Sequence, residues 1–190
     1  MRNQSVEYVD PIDGFKRIAW ISRSVAASVF LFARDEQGLW YVLTNLRGKG
    51  TPDYQGYWNC VCGYLDYDED IKDAACREVL EETGLQISKG ILNICYIESD
   101  PMASSRQNVS VRMYGILPET VESYVGKLSD ANSEVNEVSC IEFKPVDHVD
   151  LYSWTFNHNK IIKQIYSKYI NIPWYKKVVL KLYKKWFSDE

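Results

Sequence analysis

Apolar positions first become regular at Val25, where Val25 to Phe32 (VAASVFLF) is a β-type run. Asp35-Glu36-Gln37-Gly38 reads as a turn, with the glycine supplying positive φ, and Leu39 to Leu46 follows as a second strand. The pair predicts a hairpin. A loop opens at Arg47-Gly48-Lys49-Gly50 and runs through Pro52, Asp53 and Gly56. Trp58 to Cys62 predicts a short strand and Gly63 to Asp68 a loop. Asp70 suits the N-cap of a helix over Ile71 to Thr83, and Gly84 stands at its C′ position. Strands follow at Ile91 to Glu98 and Asn108 to Leu117, joined by Ser99 to Gln107. A polar stretch from Pro118 to Glu137 holds a short helix around Glu122 to Leu128. Cys140 to Phe143 is a strand stopped by Pro145, and Val146 to Leu151 is a short helical turn. Phe156 to Ile170 has helical periodicity, with Ile161, Ile162, Ile165 and Tyr169 on one side. Residues 1–23, broken by Pro11 and Gly14, predict an irregular lead-in with a short strand near Ile18 to Ser22. Strands, helix, strands, helix is the order of an α/β fold with a mixed sheet and helices on both faces.

This divides the chain into a lead-in (1–23), one domain (24–172) and a basic C-terminal segment (173–190). In that last segment Val178, Val179, Leu182, Tyr183 and Trp186 make an apolar helical face opposite Lys177, Lys181, Lys184 and Lys185. Such a helix docks on the acidic body, on a second copy as a homodimer, or on an anionic membrane surface. Net charge is −4, so nucleic acid is not an expected partner. The five cysteines are odd in number and scattered, and Met1 to Asp13 is too polar for a secretory signal. The expectation is a reducing cytoplasm and unpaired thiols, Cys60 and Cys62 sharing one strand face.

The densest charge lies between Asp66 and Glu82, with eight acids against two bases. At about 100° per residue, Glu78, Glu81 and Glu82 share one side of the predicted helix, while Cys76, Val79 and Leu80 point elsewhere. Like charges three or four residues apart cost a few tenths of a kcal/mol per pair. A purely structural helix gains nothing from that cost, and a hard cation would remove it.

Gly63, Glu69, Arg77, Glu78, Val79, Glu81, Glu82, Gly84 and Leu85 stand at the spacing of the Nudix signature, and every fixed position matches. The stretch thus resembles the Nudix hydrolase family over about Val25 to Leu85, and less directly up to Ile170. The resemblance implies an α/β/α sandwich around a central mixed β-sheet. It also implies Mg²⁺- or Mn²⁺-dependent hydrolysis of a nucleoside diphosphate linked to another moiety. Glu78, Glu81 and Glu82 would hold metal, together with the backbone carbonyl of Cys62. Arg77 and Glu69 would pair and orient Glu78, and Gly63 would permit the tight loop. The family commonly has Pro-Gly before the signature glycine, where this chain has Val61-Cys62. A further family glutamate, the base or an extra ligand, corresponds to Glu137, with Glu134 as the alternative.

The signature speaks to the reaction and leaves the substrate open. Pro101, sixteen residues beyond Leu85, resembles the placing of a proline in the ADP-ribose-hydrolysing subgroup, but a simple turn is the better account of one proline in a loop. Arg47 could meet a phosphate or solvent, and Tyr54, Tyr57 or Trp58 could stack on a base. His158 is either a packing residue or a substrate contact. A non-catalytic, nucleotide-sensing module on the same fold is the alternative to the enzyme.

Overall fold

Nine strands and three α-helices carry the chain, in a computed structural model that describes residues 4–103, 108–129 and 136–172. The basic segment 173–190 and Glu134 lie outside the described residues. β1 (Gln4–Val9) and β2 (Lys16–Ile21) form an antiparallel two-stranded sheet; β2 overlaps the short strand predicted near Ile18 to Ser22, and β1 falls where the sequence predicts an irregular lead-in. At their turn the Asp10 carboxylate accepts the Ile12 N–H at 2.9 Å, and Gly14 takes φ +74°. The period is illegible in the sequence because the hairpin buries neither face well: Val9, Ile12, Phe15 and Ile18 are all more than half exposed.

The main sheet has seven strands: β3 (Val25–Arg34), β4 (Trp40–Arg47), β5 (Trp58–Asn59), β6 (Cys62–Tyr64), β7 (Asn93–Glu98), β8 (Val109–Thr120) and β9 (Val138–Pro145). β3 is central. It runs parallel to β8 from Val25 opposite Val109 to Phe32 opposite Ile116, and antiparallel to β4 and β6. β9 and β5 pair with β4, and β7 pairs with β8. The sheet is therefore mixed.

Alternation along β3 supplies two cores. Ala27, Val29, Leu31 and Ala33 pack with Val61, Ala74, Ala75 and Val79 beneath α1 (Ile71–Thr83). Phe30 and Phe32 pack on the other face with Cys60, Ile161, Ile162 and Ile165 of α3 (His158–Ile165). Covering one aliphatic side chain such as Ile162 contributes about 1.5–3 kcal/mol. The short α2 (Val121–Val125) closes the end of the α1 side. Strand burial on both faces explains why Val25–Phe32 reads as a continuous apolar run.

α1 has the predicted ends. The Asp70 carboxylate accepts N–H bonds from Lys72 and Asp73 at 2.8 and 3.0 Å, and Gly84 closes the helix at φ +73°. Two elements differ from expectation. The strand predicted over Trp58 to Cys62 divides at Cys60-Val61, where the Cys60 N–H goes to the His158 side chain instead of a neighbouring strand. The last helix starts at His158 rather than Phe156, since Phe156 and Asn157 take left-handed φ of 49° and 57°. It ends in one wider turn, Tyr166–Ile170, closed by Asn171 N–H to Tyr166 O at 2.7 Å. Among the described residues no helix is long and apolar enough to cross a membrane, and all five cysteines are free.

Candidate active site

Arg77 organises the acidic helix. Its Nη2 donates to Glu69 Oε1 at 2.7 Å and its Nε to Glu69 Oε2 at 3.2 Å, a two-pronged pair across the loop. Nη2 also donates to the Tyr64 carbonyl at 3.0 Å, tying β6 to the helix. Nη1 donates to Glu78 Oε1 at 2.8 Å and to Glu81 Oε2 at 3.3 Å. One guanidinium thus joins three of the acids that the signature aligns. Its hydrogen bonds hold the Glu69 carboxyl below the usual carboxylate range. Burial pushes Glu78 up, against the opposing pull of Arg77, because its side chain is only 13% exposed.

Glu82 sits deeper. Burial raises its carboxyl well above the usual range, and the charge of Glu78 adds to the effect. Asn45 of β4 donates its side-chain amide to Glu82 Oε2, and the Cys62 N–H also serves this carboxylate. Asn45 is a neighbour of the acidic cluster that the sequence reading missed. Its signal is a buried polar residue in the middle of an apolar strand. Among the described residues no three His, Cys, Asp or Glu side chains converge on one point as a ready metal cage. What is present is a set of hard oxygen donors, Glu78, Glu81 and Glu82, two of them buried enough to resist carrying charge unaided. That donor chemistry fits a divalent oxygen-seeking cation, which inverts such shifts.

Gly63 is indispensable for a steric reason. A Cβ there would lie 1.9 Å from Glu78 Oε1 and 2.0 Å from its carboxyl carbon. The glutamate therefore rests directly on the glycine backbone. Gly63→Ala is expected to displace Glu78 and lower kcat about tenfold or more, a loss of the size that misplacing one catalytic group produces. Steady-state kinetics alongside a melting curve separates this from unfolding.

Gly63 also borders a cleft of about 570 Å³, within the range of small-ligand sites. Arg47, Arg112, Tyr54, Trp154, Phe156 and His158 are among its lining. Arg47 lines the cleft and is braced by Asp53 at 2.9 Å. The structure does not bring in Tyr57, which stands edge-on to Tyr54 with ring centroids 5.8 Å apart, nor Pro101, which is exposed in a turn. Trp58 is occupied by the Lys144 ammonium, 3.8 Å from its ring centroid. Arg112 was missed, because nothing in a strand sequence shows which neighbour its side chains will face. It pairs with Glu98 at 3.5 Å. Glu137 comes close enough for its charge to raise Glu78. Its loop is fastened by Gly48 N–H to Glu137 O at 2.7 Å and Gly50 N–H to Asn136 O at 2.9 Å. A Cβ on Gly48 would meet Asn136 O at 2.1 Å, so the approach depends on glycine.

His158 is 3% exposed and accepts the Cys60 N–H on Nδ1 at 3.0 Å. Burial, with repulsion from Arg112 and Arg47, lowers its pKa to about 3. An unfolded chain binds a proton here near pH 6.5, and the folded chain does not until about pH 3. Between those values the unfolded state holds more protons, so stability falls as pH falls, by about 1.4 kcal/mol per unit from this group. Urea unfolding at pH 7 and pH 5 is expected to show an acid loss about 2 kcal/mol smaller in His158→Phe than in the wild type.

The fold and this site define a class: an α/β/α protein with a carboxylate helix opening on a nucleotide-sized cleft. A model of the NUDIX domain matches residues 22–165. The chain belongs to this family. Among solved structures, the chain is similar to the NUDIX domain of Shewanella oneidensis NrtR complexed with ADP ribose. That likeness has 17% identity and a TM-score of 0.65, over 78% of this chain and 89% of that one. A MutT/nudix family protein from Enterococcus faecalis aligns at 16% identity and a TM-score of 0.61, over 85% of this chain and 69% of that one. A bifunctional NMN adenylyltransferase/ADP ribose pyrophosphatase from Francisella tularensis, complexed with AMP and a Mn ion, aligns at 16% identity and a TM-score of 0.57. There the coverage is 77% of this chain and 42% of that one. At these identities the likeness is one of fold. Comparison with curated proteins finds no match.

Proposed function

We propose that this chain hydrolyses the diphosphate linkage of a nucleoside diphosphate derivative, with ADP-ribose or a related nucleotide sugar as the first substrate to test. The observation that carries this reading is the contact of Glu78 with Gly63, which brings the carboxylate helix to the edge of a cleft containing two arginines and several aromatic rings. The ADP ribose and AMP in two structural neighbours agree with an adenine nucleotide.

Glu78, Glu81 and Glu82, with the Cys62 carbonyl, are the residues to hold Mg²⁺ or Mn²⁺. When bound, such an ion neutralises charge on phosphate oxygens and makes water a better nucleophile. The chain's own residues do the rest. Arg77 positions Glu78 and Glu81, and Glu69 positions Arg77. Arg47 and Arg112 give the diphosphate fixed positive charge. Glu137, or an equivalent carboxylate, takes the proton from the attacking water. Tyr54, Trp154 and Phe156 offer faces to a base.

A panel of nucleoside diphosphate derivatives, read by mass spectrometry in H₂¹⁸O with and without Mg²⁺, tests the proposal. Metal-dependent release of two phosphorylated products, one carrying ¹⁸O, is expected. Binding without turnover across the whole panel would favour a nucleotide-sensing module instead. That second reading has one observation of its own, since NrtR is also solved complexed with a 27mer DNA. This chain covers 61% of that protein, so the likeness stops short of its full length.

A further inference from the structure

We propose that His158 is a specificity residue that reads the nucleobase of the substrate through its Nε2–H. The inference rests on the nucleotide reading above and goes beyond it by assigning the atom that selects the base.

The tautomer follows from geometry. The Cys60 N–H donates to Nδ1 at 3.0 Å, so Nδ1 holds a lone pair and the ring proton is on Nε2. Among the described residues, every buried side-chain nitrogen or oxygen has a hydrogen-bond partner. The Cys60 contact is the hydrogen bond that the His158 ring makes among them. Nε2 is therefore not completely enclosed, although the residue as a whole is almost fully buried. The space bordering His158 is the cleft. The result is a single N–H donor presented to the cavity where a ligand would complete it.

The ring is also held rigidly. The backbone N–H of His158 donates to Thr155 O at 2.9 Å, and Thr155 N–H donates to Trp58 O at 3.0 Å. Thr155 Oγ1 donates to Asn59 Oδ1 at 2.9 Å, so the segment before α3 is pinned to β5. The rings of Phe30 and Phe156 flank the imidazole, with centroids 5.3 and 5.7 Å away. Phe156 and Asn157 adopt left-handed φ to deliver it there, a conformation costly for a phenylalanine.

The chemistry of this donor selects its partner. Arg47 and Arg112 already supply positive charge to the same cleft, and an imidazole that stays uncharged beside them adds no further charge to hold a phosphate. A neutral, directional donor among aromatic faces matches a flat ligand with an in-plane acceptor, such as a nucleobase ring nitrogen or carbonyl. A sugar hydroxyl needs no such flat surround.

Equilibrium binding of monophosphates separates this from hydrolysis, because neither AMP, GMP, CMP, UMP nor ribose 5-phosphate contains the bond to be cleaved. Calorimetry on the full chain is expected to show that one of the four nucleotides binds more tightly than ribose 5-phosphate. His158→Phe weakens that nucleotide about tenfold, the effect of losing one well-placed hydrogen bond, and changes ribose 5-phosphate less than about twofold. His158→Gln keeps both an acceptor for Cys60 and a donor for the ligand, and recovers most of the affinity. In ¹⁵N-histidine spectra the His158 Nε2 signal carries the proton in the free protein and shifts with the nucleotide but not with ribose 5-phosphate. Equal weakening of nucleotide and ribose 5-phosphate, or no weakening, overturns the proposal. So does a wild type that does not distinguish the two ligands. Failure of the hydrolysis panel alongside base-selective binding would count against the enzyme reading alone.

Discussion

Glu82→Gln is expected to lower kcat by about 10²–10³-fold while leaving the melting temperature nearly unchanged. The substitution is isosteric, and its amide oxygen can still accept from Asn45 and the Cys62 N–H. It removes one negative charge from a site that needs negative charge to concentrate a cation. Loss of one preorganised electrostatic group at a reacting centre costs about 2.7–4 kcal/mol in barrier height, which is the quoted range in rate. Burial and Glu78 both oppose a charge on Glu82 in the free protein, so its removal does not cost folding stability. Titration of activity with Mg²⁺ is the check. The variant should need more metal for half-activity and stay below the wild type at saturation. Wild-type turnover in the variant would show that Glu82 is not part of the machinery.

The second large effect is expected at Arg77. Arg77→Met keeps most of the side-chain bulk but leaves Glu69 and Glu78, 15% and 13% exposed, without their cationic partner. Breaking a fully buried pair costs about 3–5 kcal/mol, and partial exposure reduces this to about 2 kcal/mol. The pH dependence has a definite sign. Arg77 holds the Glu69 carboxyl below its ordinary value, so the pair stabilises the fold above the unfolded pKa and is lost as pH falls through the folded one. The gap between wild type and variant is therefore largest at neutral pH and shrinks below about pH 4. Activity should fall about 100-fold, because Glu78 and Glu81 both lose the group that positions them. Urea midpoints at pH 7 and pH 4, with kcat at pH 7, measure both parts. A stability loss that is independent of pH would contradict the assigned role.

Much of the acidic helix was legible in the chain alone. Asp70 and Gly84 mark its ends by local chemistry, a side chain that caps N–H groups and a residue that tolerates positive φ. The spacing of Glu78, Glu81 and Glu82 places them on one side of any α-helix, wherever that helix packs. The run from Val25 to Phe32 likewise announces a buried strand. These are periodic or nearest-neighbour properties, and they need no knowledge of distant residues.

What tertiary structure decided are the long-range pairings. Nothing local shows that Asn45, thirty-seven residues away, will brace Glu82, or that Cys60 will set the tautomer of His158, ninety-eight residues on. The β1–β2 hairpin was illegible because a strand pair with two exposed faces has no reason to alternate. The same limit explains why Arg112 joins the cleft and Tyr57 does not: the register of β8 on β3, and the fold of the 48–57 loop, choose which side chains meet. The sequence by itself determined that Glu78, Glu81 and Glu82 share one helix side, since covalent spacing alone aligns them. Only the folded chain decided where that side points, because closing loops of tens of residues brings Gly63, Arg47 and His158 around one cleft.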